Sequence, residues 1–339
     1  MSGRDVRRLA GRASTMTHEA KRDIVARIAT GADAMGVTDI YVTREPFRIA
    51  SAALEQIPLK ARVHVIEHEL ANDAGDTQRS MAAYLEAGAR SFVSLGGDGT
   101  NRALVREMLK AQQTQRHPDL DNLVLVPLST GTNNVFPILA EPTIAGMVAG
   151  LYANQRVPLK FAPRAKVLHL ELDDGVQDIA LIDIVHLKDD HVGNLLPFTA
   201  EKLTQMVLAR AEADAVGMSP IGGYLEVVDA AADHGLWVQM GGGRRLNAPL
   251  SPGLFAEVFV SDHTRLGFDE SVEFSAPGVL ALDGDRDHKL VAGASARVVV
   301  RRDGPLVPDL ADVMRFAADT GIMAAATTET TSNPDLSEG

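Results

Sequence analysis

A buried-type strand, Ser91-Phe92-Val93-Ser94-Leu95, runs without a spacer into Gly96-Gly97-Asp98-Gly99-Thr100, and helix-forming residues 101–113 follow at once. No other segment restricts the fold as much. Strand, glycine loop and helix in direct succession present backbone N–H groups and a helix N-terminus on one edge of a sheet, an arrangement suited to anions. Glycine lets the main chain approach closely and take positive φ. Thr100 is suited to cap the helix or to bond an anion's oxygen. A tight strand-to-helix turn would use the same residues, so the loop alone leaves the two readings even. Two familiar phosphate motifs are excluded: no Gly-Lys-Ser/Thr run exists, and Arg102 stands where the dinucleotide fingerprint needs its third glycine.

The surroundings of the loop set the fold class. Residues 18–35 read as a helix, Asp39–Thr43 as a strand, 47–57 as a helix and 61–67 as a strand. A helix over 77–88 ends at Gly88, and a further strand covers 122–128. Strands alternating with helices predict an α/β domain with a parallel sheet covered on both faces, whose ligands bind at the carboxyl ends of the strands. Beyond about residue 162 the texture changes. The runs 165–172, 179–187, 224–228, 236–240, 254–260, 272–274 and 296–301 read as strands, with one helix over 200–213. The expectation is a nucleotide-binding α/β domain over 1–160 and a β-rich, sandwich-like domain over 161–305. A C-terminal segment at 306–323 returns to the first domain, and 324–339, rich in Thr, Ser and Glu, is a disordered tail.

Two further segments bear on the glycine loop. Residues 122–128 lead into Ser129-Thr130-Gly131-Thr132-Asn133-Asn134, whose hydroxyls and carboxamides would lie on the same sheet edge. A polar turn would also use them, but two such loops on one edge favour a nucleotide. Far downstream, Asp283-Gly284-Asp285-Arg286-Asp287 places three carboxylates at alternate positions, suited to Mg²⁺ or to proton abstraction if the segment folds back. Taken alone it reads better as an Asp-Gly hairpin turn.

Composition excludes several classes. Lys and Arg number 33 against 45 Asp and Glu, a net charge of −12, and aromatics are only 4%. Such a chain is a poor match for nucleic acid or anionic lipid, so neither a nucleic-acid nor a membrane partner is expected. With no cysteine, disulfides, thiol catalysis and thiolate metal sites are out. No apolar run spans a bilayer and no secretory signal opens the chain, so a cytoplasmic protein is expected. Homo-oligomers are the common outcome for soluble enzymes.

Taken together, the three segments resemble the superfamily of NAD kinases, diacylglycerol kinases and sphingosine kinases, whose Gly-Gly-Asp-Gly-Thr loop is matched at 96–100 without deviation. The chain is most similar to the ATP-NAD kinase-like group that includes acetoin catabolism protein X. That likeness covers 130–137, Gly241-Gly242-Gly243-Arg244, 248–253 and 281–284. The resemblance implies ATP and Mg²⁺ as cofactors and transfer of the γ-phosphate to a hydroxyl of NAD or another small metabolite. Gly96, Gly97, Gly99, Thr100 and Asn101 would hold phosphate, and Thr130, Gly131, Thr132, Asn133 and Asn134 would flank the nucleotide. Asp98 and Asp283 would be the catalytic carboxylates, with Asp98 and Asp285 as metal ligands. Ser2-Gly3 looks like the end of the family's Asn-Pro-x-Ser-Gly phosphate loop, without the hydrophobic strand that precedes it. Either the start is misassigned, or part of the ATP site is lost. Asp285 stands where the family has Glu. These departures leave open a nucleotide-binding regulatory protein without turnover, and a lipid kinase is a further alternative.

Overall fold

The computed structural model describes residues 16–45, 47–71, 74–114, 120–131 and 134–324. Ser2, Gly3, Thr132, Asn133 and the tail from 325 lie outside the described residues. The first half follows the expected alternation: α1 (His18–Ala34), β1 (Asp39–Thr43), α2 (Ile49–Leu54), β2 (Arg62–Ile66), α3 (Ala74–Glu86), β3 (Ser91–Gly96), α4 (Asp98–Gln113) and β4 (Val124–Ser129). Thr17 starts α1 by accepting the Ala20 N–H at 3.1 Å, and Gly88, at φ +79°, follows the end of α3. A fifth helix, α5 (Pro142–Ala153), carries little amphipathic signal because eight of its residues are buried. Its start is nonetheless marked, since Glu141 accepts the Thr143 and Ile144 N–H groups and Pro142 opens the first turn. Helices α1 and α5 pack backbone to backbone. A Cβ on Gly146 would stand 2.0 Å from the Ile28 carbonyl oxygen, and one on Gly31 would stand 2.2 Å from that of Thr143.

The parallel sheet differs from the expectation. Among the described residues β1 pairs only with β2 and β3 only with β4, both in parallel, giving two separate two-stranded sheets.

The second half is antiparallel throughout. It comprises β5 (Val167–Leu172), β6 (Gln177–Ala180), β7 (Asp183–Leu187), β8 (Leu203–Leu208), a short α6 (Ser219–Gly223), β9 (His234–Ser251) and β10 (Leu254–Gly267). Then come β11 (Ser271–Phe274), β12 (Gly278–Leu282), β13 (Asp285–Leu290) and β14 (Ala296–Arg301). A six-stranded sheet, ordered β10-β9-β8-β7-β12-β13, faces a four-stranded one, ordered β11-β14-β5-β6. Leu168, Ile184, Val207, Phe274, Leu280 and Val298 fill the space between them. The sandwich-like reading of this half holds.

Three local expectations fail. Residues 200–213 contain no α-helix; β8 runs there, paired with β7 and β9. A strand with neighbours on both edges and protein on both faces shows a run of apolar residues instead of alternation, and such a run is easily read as helical. The strand expected over 179–187 breaks into β6 and β7 at Leu181-Ile182, for a reason given below. Residues 224–228 form no strand and contribute one isolated bridge, Val228 to Ala211. The last helix, α7 (Leu310–Asp319), is capped by Asp309, which accepts the Asp312 N–H at 2.9 Å. Leu306, Leu310 and Val313 pack with Val126, Val148 and Leu151 of β4 and α5, so α7 lies against the first half. No described helix is long and apolar enough to cross a membrane.

Candidate functional site

The glycine loop lies at the carboxyl end of β3 and is also the start of α4. Gly97 is the N-cap, so Asp98, Gly99 and Thr100 occupy the first turn. The first bond closing the helix runs from the Asn101 N–H to the Gly97 carbonyl at 3.1 Å, which leaves the first-turn N–H groups outside the helical ladder. Asn101, expected to touch ligand, points inward instead. It is fully buried, receives the Ser94 hydroxyl at 2.6 Å and donates to the Gly97 carbonyl at 2.9 Å. It braces the loop from beneath.

Each glycine faces another part of the site. A Cβ on Gly97 would lie 2.4 Å from Asn134 Oδ1, one on Gly96 would lie 2.5 Å from the Thr100 side chain, and one on Gly99 would lie 3.3 Å from Asp285 Oδ2. The loop is glycine-rich because both other segments close on it. Asn134 donates to Ser129 Oγ at 2.9 Å, and that hydroxyl also bonds the Gly131 carbonyl at 3.0 Å. Ser129 therefore organises the second loop. Thr130 Oγ1 is buried with no hydrogen-bond partner among the described residues, an uncommon state for a hydroxyl.

Asp98 ties the two loops together. Its Oδ1 accepts the Phe136 N–H at 2.8 Å and the Val135 N–H at 3.1 Å, and its Oδ2 lies 3.1 Å from the same Val135 nitrogen. Some of its surface remains accessible, yet protein surrounds the carboxylate closely. Burial, followed by the negative charge of Asp283, pushes its pKa up to about 7, against the pull of the two amides and of Arg210.

Asp283 is tied down more tightly. It takes φ +48° and Gly284 φ +89°, the left-handed pair of a two-residue hairpin turn joining β12 to β13. Its Oδ1 accepts the N–H groups of Leu181 at 3.0 Å, Ile182 at 2.8 Å and Asp183 at 3.3 Å, and its Oδ2 lies 2.9 Å from Leu181 N. This clamp breaks the run 179–187 into two strands. Burial raises the Asp283 pKa, opposed first by Arg102 and then by the three amides.

The tie between α4 and the Asp283 turn is Arg102, which sequence reasoning treated only as a missing glycine. It is 7% exposed. It donates to the Leu282 carbonyl at 2.7 Å and pairs with Asp285 at 3.2 Å and Asp287 at 2.8 Å. One turn on, Arg106 pairs with Asp178, which also receives His288 at 2.8 Å. A charged residue on the buried face of a helix beginning at Gly-Asp-Gly was the available signal. The Asp283–Asp287 segment therefore does fold back to the glycine loop. Asp285 does so as the partner of an arginine, and among the described residues no group of three or more His, Cys, Asp or Glu could hold a metal ion. His64 and His68 bond Asp39 and Ser80. Arg245 lies on the exposed β9–β10 hairpin beside Glu257 at 3.3 Å.

A glycine loop at the head of a helix, closed by an antiparallel half through buried ionic contacts, defines a two-part α/β and β protein with one convergent polar site. Residues 166–303 match the family model described as the acetoin catabolism protein X C-terminal domain. Acetoin catabolism protein X of Cupriavidus necator is 30% identical over 341 residues, covering 95% of this chain and 91% of the relative. The chain belongs to the acetoin catabolism protein X family. Among solved structures it is similar to yeast NADH kinase in complex with NADH, at 14% identity and TM-score 0.49, covering 94% of this chain and 86% of that one. It is also similar to an NAD kinase from Archaeoglobus fulgidus in complex with ATP, at 12% identity and TM-score 0.40, covering 85% of this chain and 99% of that one.

Proposed function

We propose that the chain binds ATP with its phosphates at the start of α4 and transfers the γ-phosphate to the hydroxyl of NAD or another small metabolite. The observation that carries this reading is the convergence of three distant segments, 96–102, 129–136 and 282–287, on one helix N-terminus. A strand-to-helix turn alone would need no such convergence. The first-turn N–H groups of α4 and the unpartnered Thr130 hydroxyl suit phosphate oxygens. Residues 16–160 would then form the nucleotide domain and 161–305 the covering one.

Phosphoryl transfer asks the protein for in-line positioning and charge neutralisation, with a carboxylate to take the acceptor's proton. Asp98 fits that role better than Asp283. It stands in the first turn of α4, on the glycine loop itself, and a pKa pushed up to about 7 suits a base at neutral pH. Asp283 accepts three amides from Leu181–Asp183 within the β12–β13 turn and is a positioning residue. The donors present do not fit a Mg²⁺ ion held by the protein, because Asp98 receives amides and Asp285 an arginine. A small acceptor accords with the relative's name, since acetoin carries a single alcohol.

Calorimetry with Mg-ATP tests binding, and absence of heat at millimolar nucleotide would refute the site. Incubation with ATP and NAD, acetoin, short polyols or diacylglycerol tests transfer, with Asp98→Asn expected to abolish product. The tight amide clamps on both aspartates favour one rival, a nucleotide-binding regulatory protein. That reading predicts heat with ATP and no phosphorylated product from any acceptor.

A further inference from the structure

The two longest described strands, β9 with 18 residues and β10 with 14, form one hairpin, and most of it has no further strand beside it. β8 runs along β9 only at 236–239. The core between the two sheets takes Trp237 and Leu266 from the base of the hairpin and nothing between them. From 240 to 260 the chain is therefore a two-stranded ribbon, which is marginal in water unless its faces are covered. One face is covered: Ala248, Leu250, Val258 and Val260 are buried in the core of the second half. The register jumps from Phe259 opposite Arg245 to Val260 opposite Met240, so residues 241–244 leave the ladder. Gly241, Gly242 and Gly243 take φ +99°, +90° and +72° there, and a Cβ on Gly243 would stand 2.5 Å from the Val260 carbonyl oxygen. Such an excursion bends a strand and sets the outer ribbon off from its base.

The opposite face is bare. Phe255 lies across from Pro249, Glu257 from Asn247 and Phe259 from Arg245, and strand alternation turns all six away from the core. Phe255 is 60% exposed and Phe259 45%, with Leu254 next in the chain at 39%. Only three of the ten phenylalanines are exposed, and these are two of them. Among the described residues β10 also has no strand along its outer edge. Clustered exposed apolar groups mark contact surfaces, and an open edge strand invites another chain.

The charges name the occupant. The chain carries a net charge of −12, so two copies repel over most of their surface. This face is balanced, with one cation and one anion, Arg245 and Glu257, 3.3 Å apart. Such a balance offers no attraction to nucleic acid or an anionic membrane. Turned through 180°, it complements itself. We propose that this ribbon face packs on the same face of a second copy about a two-fold axis. Phe255 and Phe259 of one copy lie against those of the other, and Arg245 of each reaches Glu257 of the other. The contact is isologous, and its phenyl and guanidinium groups are those enriched in interface cores.

Sedimentation at micromolar concentration tests this without nucleotide, so its outcome is separate from that of the ATP reading. The expected particle has twice the 36.2 kDa mass of one chain. Phe255→Glu combined with Phe259→Glu should raise the dissociation constant at least about 30-fold, the range of interface hot spots. Both phenyls lie outside the core, so the variant should unfold in urea at the parent's midpoint when both are measured as monomers. Arg245→Glu and Glu257→Arg should each weaken the dimer about tenfold by setting like charges together across the axis. The two combined in one chain should restore it. A monomeric parent would overturn the proposal, as would a dimer indifferent to the two phenyls. A parent that dimerises only once residues 325–339 are removed would give the face to that segment instead. Charge reversals that fail to rescue each other would overturn the two-fold arrangement.

Discussion

Asp98 and Asp283 each fold a carboxylate onto backbone amides of a segment far away in sequence, and the two end in different chemical states. Asp98, in the first turn of α4, receives two amides, from Val135 and Phe136, spread over both oxygens. Asp283, at φ +48° in a hairpin turn, receives three amides from Leu181, Ile182 and Asp183 and uses both oxygens. Burial raises the pKa of both, and Asp98 also feels the negative charge of Asp283. A carboxylate held by three amides inside a left-handed turn is a fixed structural joint, whereas one held by two amides at a helix start, with a pKa near 7, can still exchange a proton. Two aspartates of equal rank in the sequence thus separate into a joint and a working group.

The sharpest way to break this comparison is Asp283→Ala. Three amides lose their acceptor, each at about 1–3 kcal/mol when buried, and a Cβ without a local hydrogen bond must hold a left-handed backbone. Unfolding in urea should show a loss of about 4 kcal/mol or more. Asp283→Asn, which tolerates that backbone and retains one acceptor oxygen, should lose markedly less. If Asp283→Ala kept full stability and lost only phosphoryl transfer, the roles of the two aspartates would be reversed.

Asp98→Asn comes next, and its signature is pH dependence. An unfolded Asp releases its proton near 3.8, whereas Asp98 in the fold holds it to about 7. The folded state binds more protons at Asp98 across that window, so this group's contribution to stability is fully present below about pH 4 and is lost as pH rises to 7. With each pKa unit worth about 1.4 kcal/mol, and with some solvent reaching the group, the drop should be about 2–4 kcal/mol. Urea midpoints from pH 4 to pH 8 should show the slope in the parent chain and a flatter profile in the variant. An equal slope in both would place the raised group elsewhere.

How the two aspartates came to be legible, and why their roles did not, follows from what local sequence encodes. The strand–loop–helix at 91–113 and the Asp-Gly turn at 283–284 are written in contiguous residues, because turn chemistry and periodicity are local properties. Which backbone amides a carboxylate will find is a property of the assembled fold. Nothing near Asp283 announces Leu181, and nothing near Asp98 announces Phe136. The same limit explains β8, whose apolar run is that of a strand enclosed by neighbours, and α5, whose burial all round erases the amphipathic stripe. Arg102 was visible as a misfit to one motif, but its bond to the Leu282 carbonyl exists only once the two halves have met.

Removing that link is the third test. Arg102→Met keeps much of the side-chain volume but leaves the Leu282 carbonyl without its donor and Asp285 and Asp287 without their shared cation. A buried arginine whose partners stay behind is destabilising when removed. The expected loss is about 2–3 kcal/mol, below that of Asp283→Ala because the clamp on Leu181–Asp183 remains. If the Asp283 turn is the joint and Arg102 its tie to α4, the variant should also weaken ATP binding without altering the pH slope assigned to Asp98. A changed slope would mean that the arginine, through Asp283, sets the proton affinity of Asp98.

The smallest expected effect on stability belongs to Thr130→Val. The two side chains have nearly the same shape, and the Thr130 hydroxyl is buried without a partner among the described residues. Removing an unsatisfied hydroxyl relieves a desolvation penalty instead of breaking a bond. Urea unfolding should therefore change by no more than about 0.5 kcal/mol, in the stabilising direction. If that hydroxyl serves a phosphate oxygen, calorimetry with Mg-ATP should show affinity reduced about tenfold, the ordinary worth of a hydrogen bond to a charged group. The variant thus separates binding from folding where Asp98 and Asp283 cannot, since both of those hold the backbone as well. A stability loss above about 1 kcal/mol would show that Thr130 serves the second loop itself, and an unchanged ATP affinity would move the phosphates away from this side of the glycine loop.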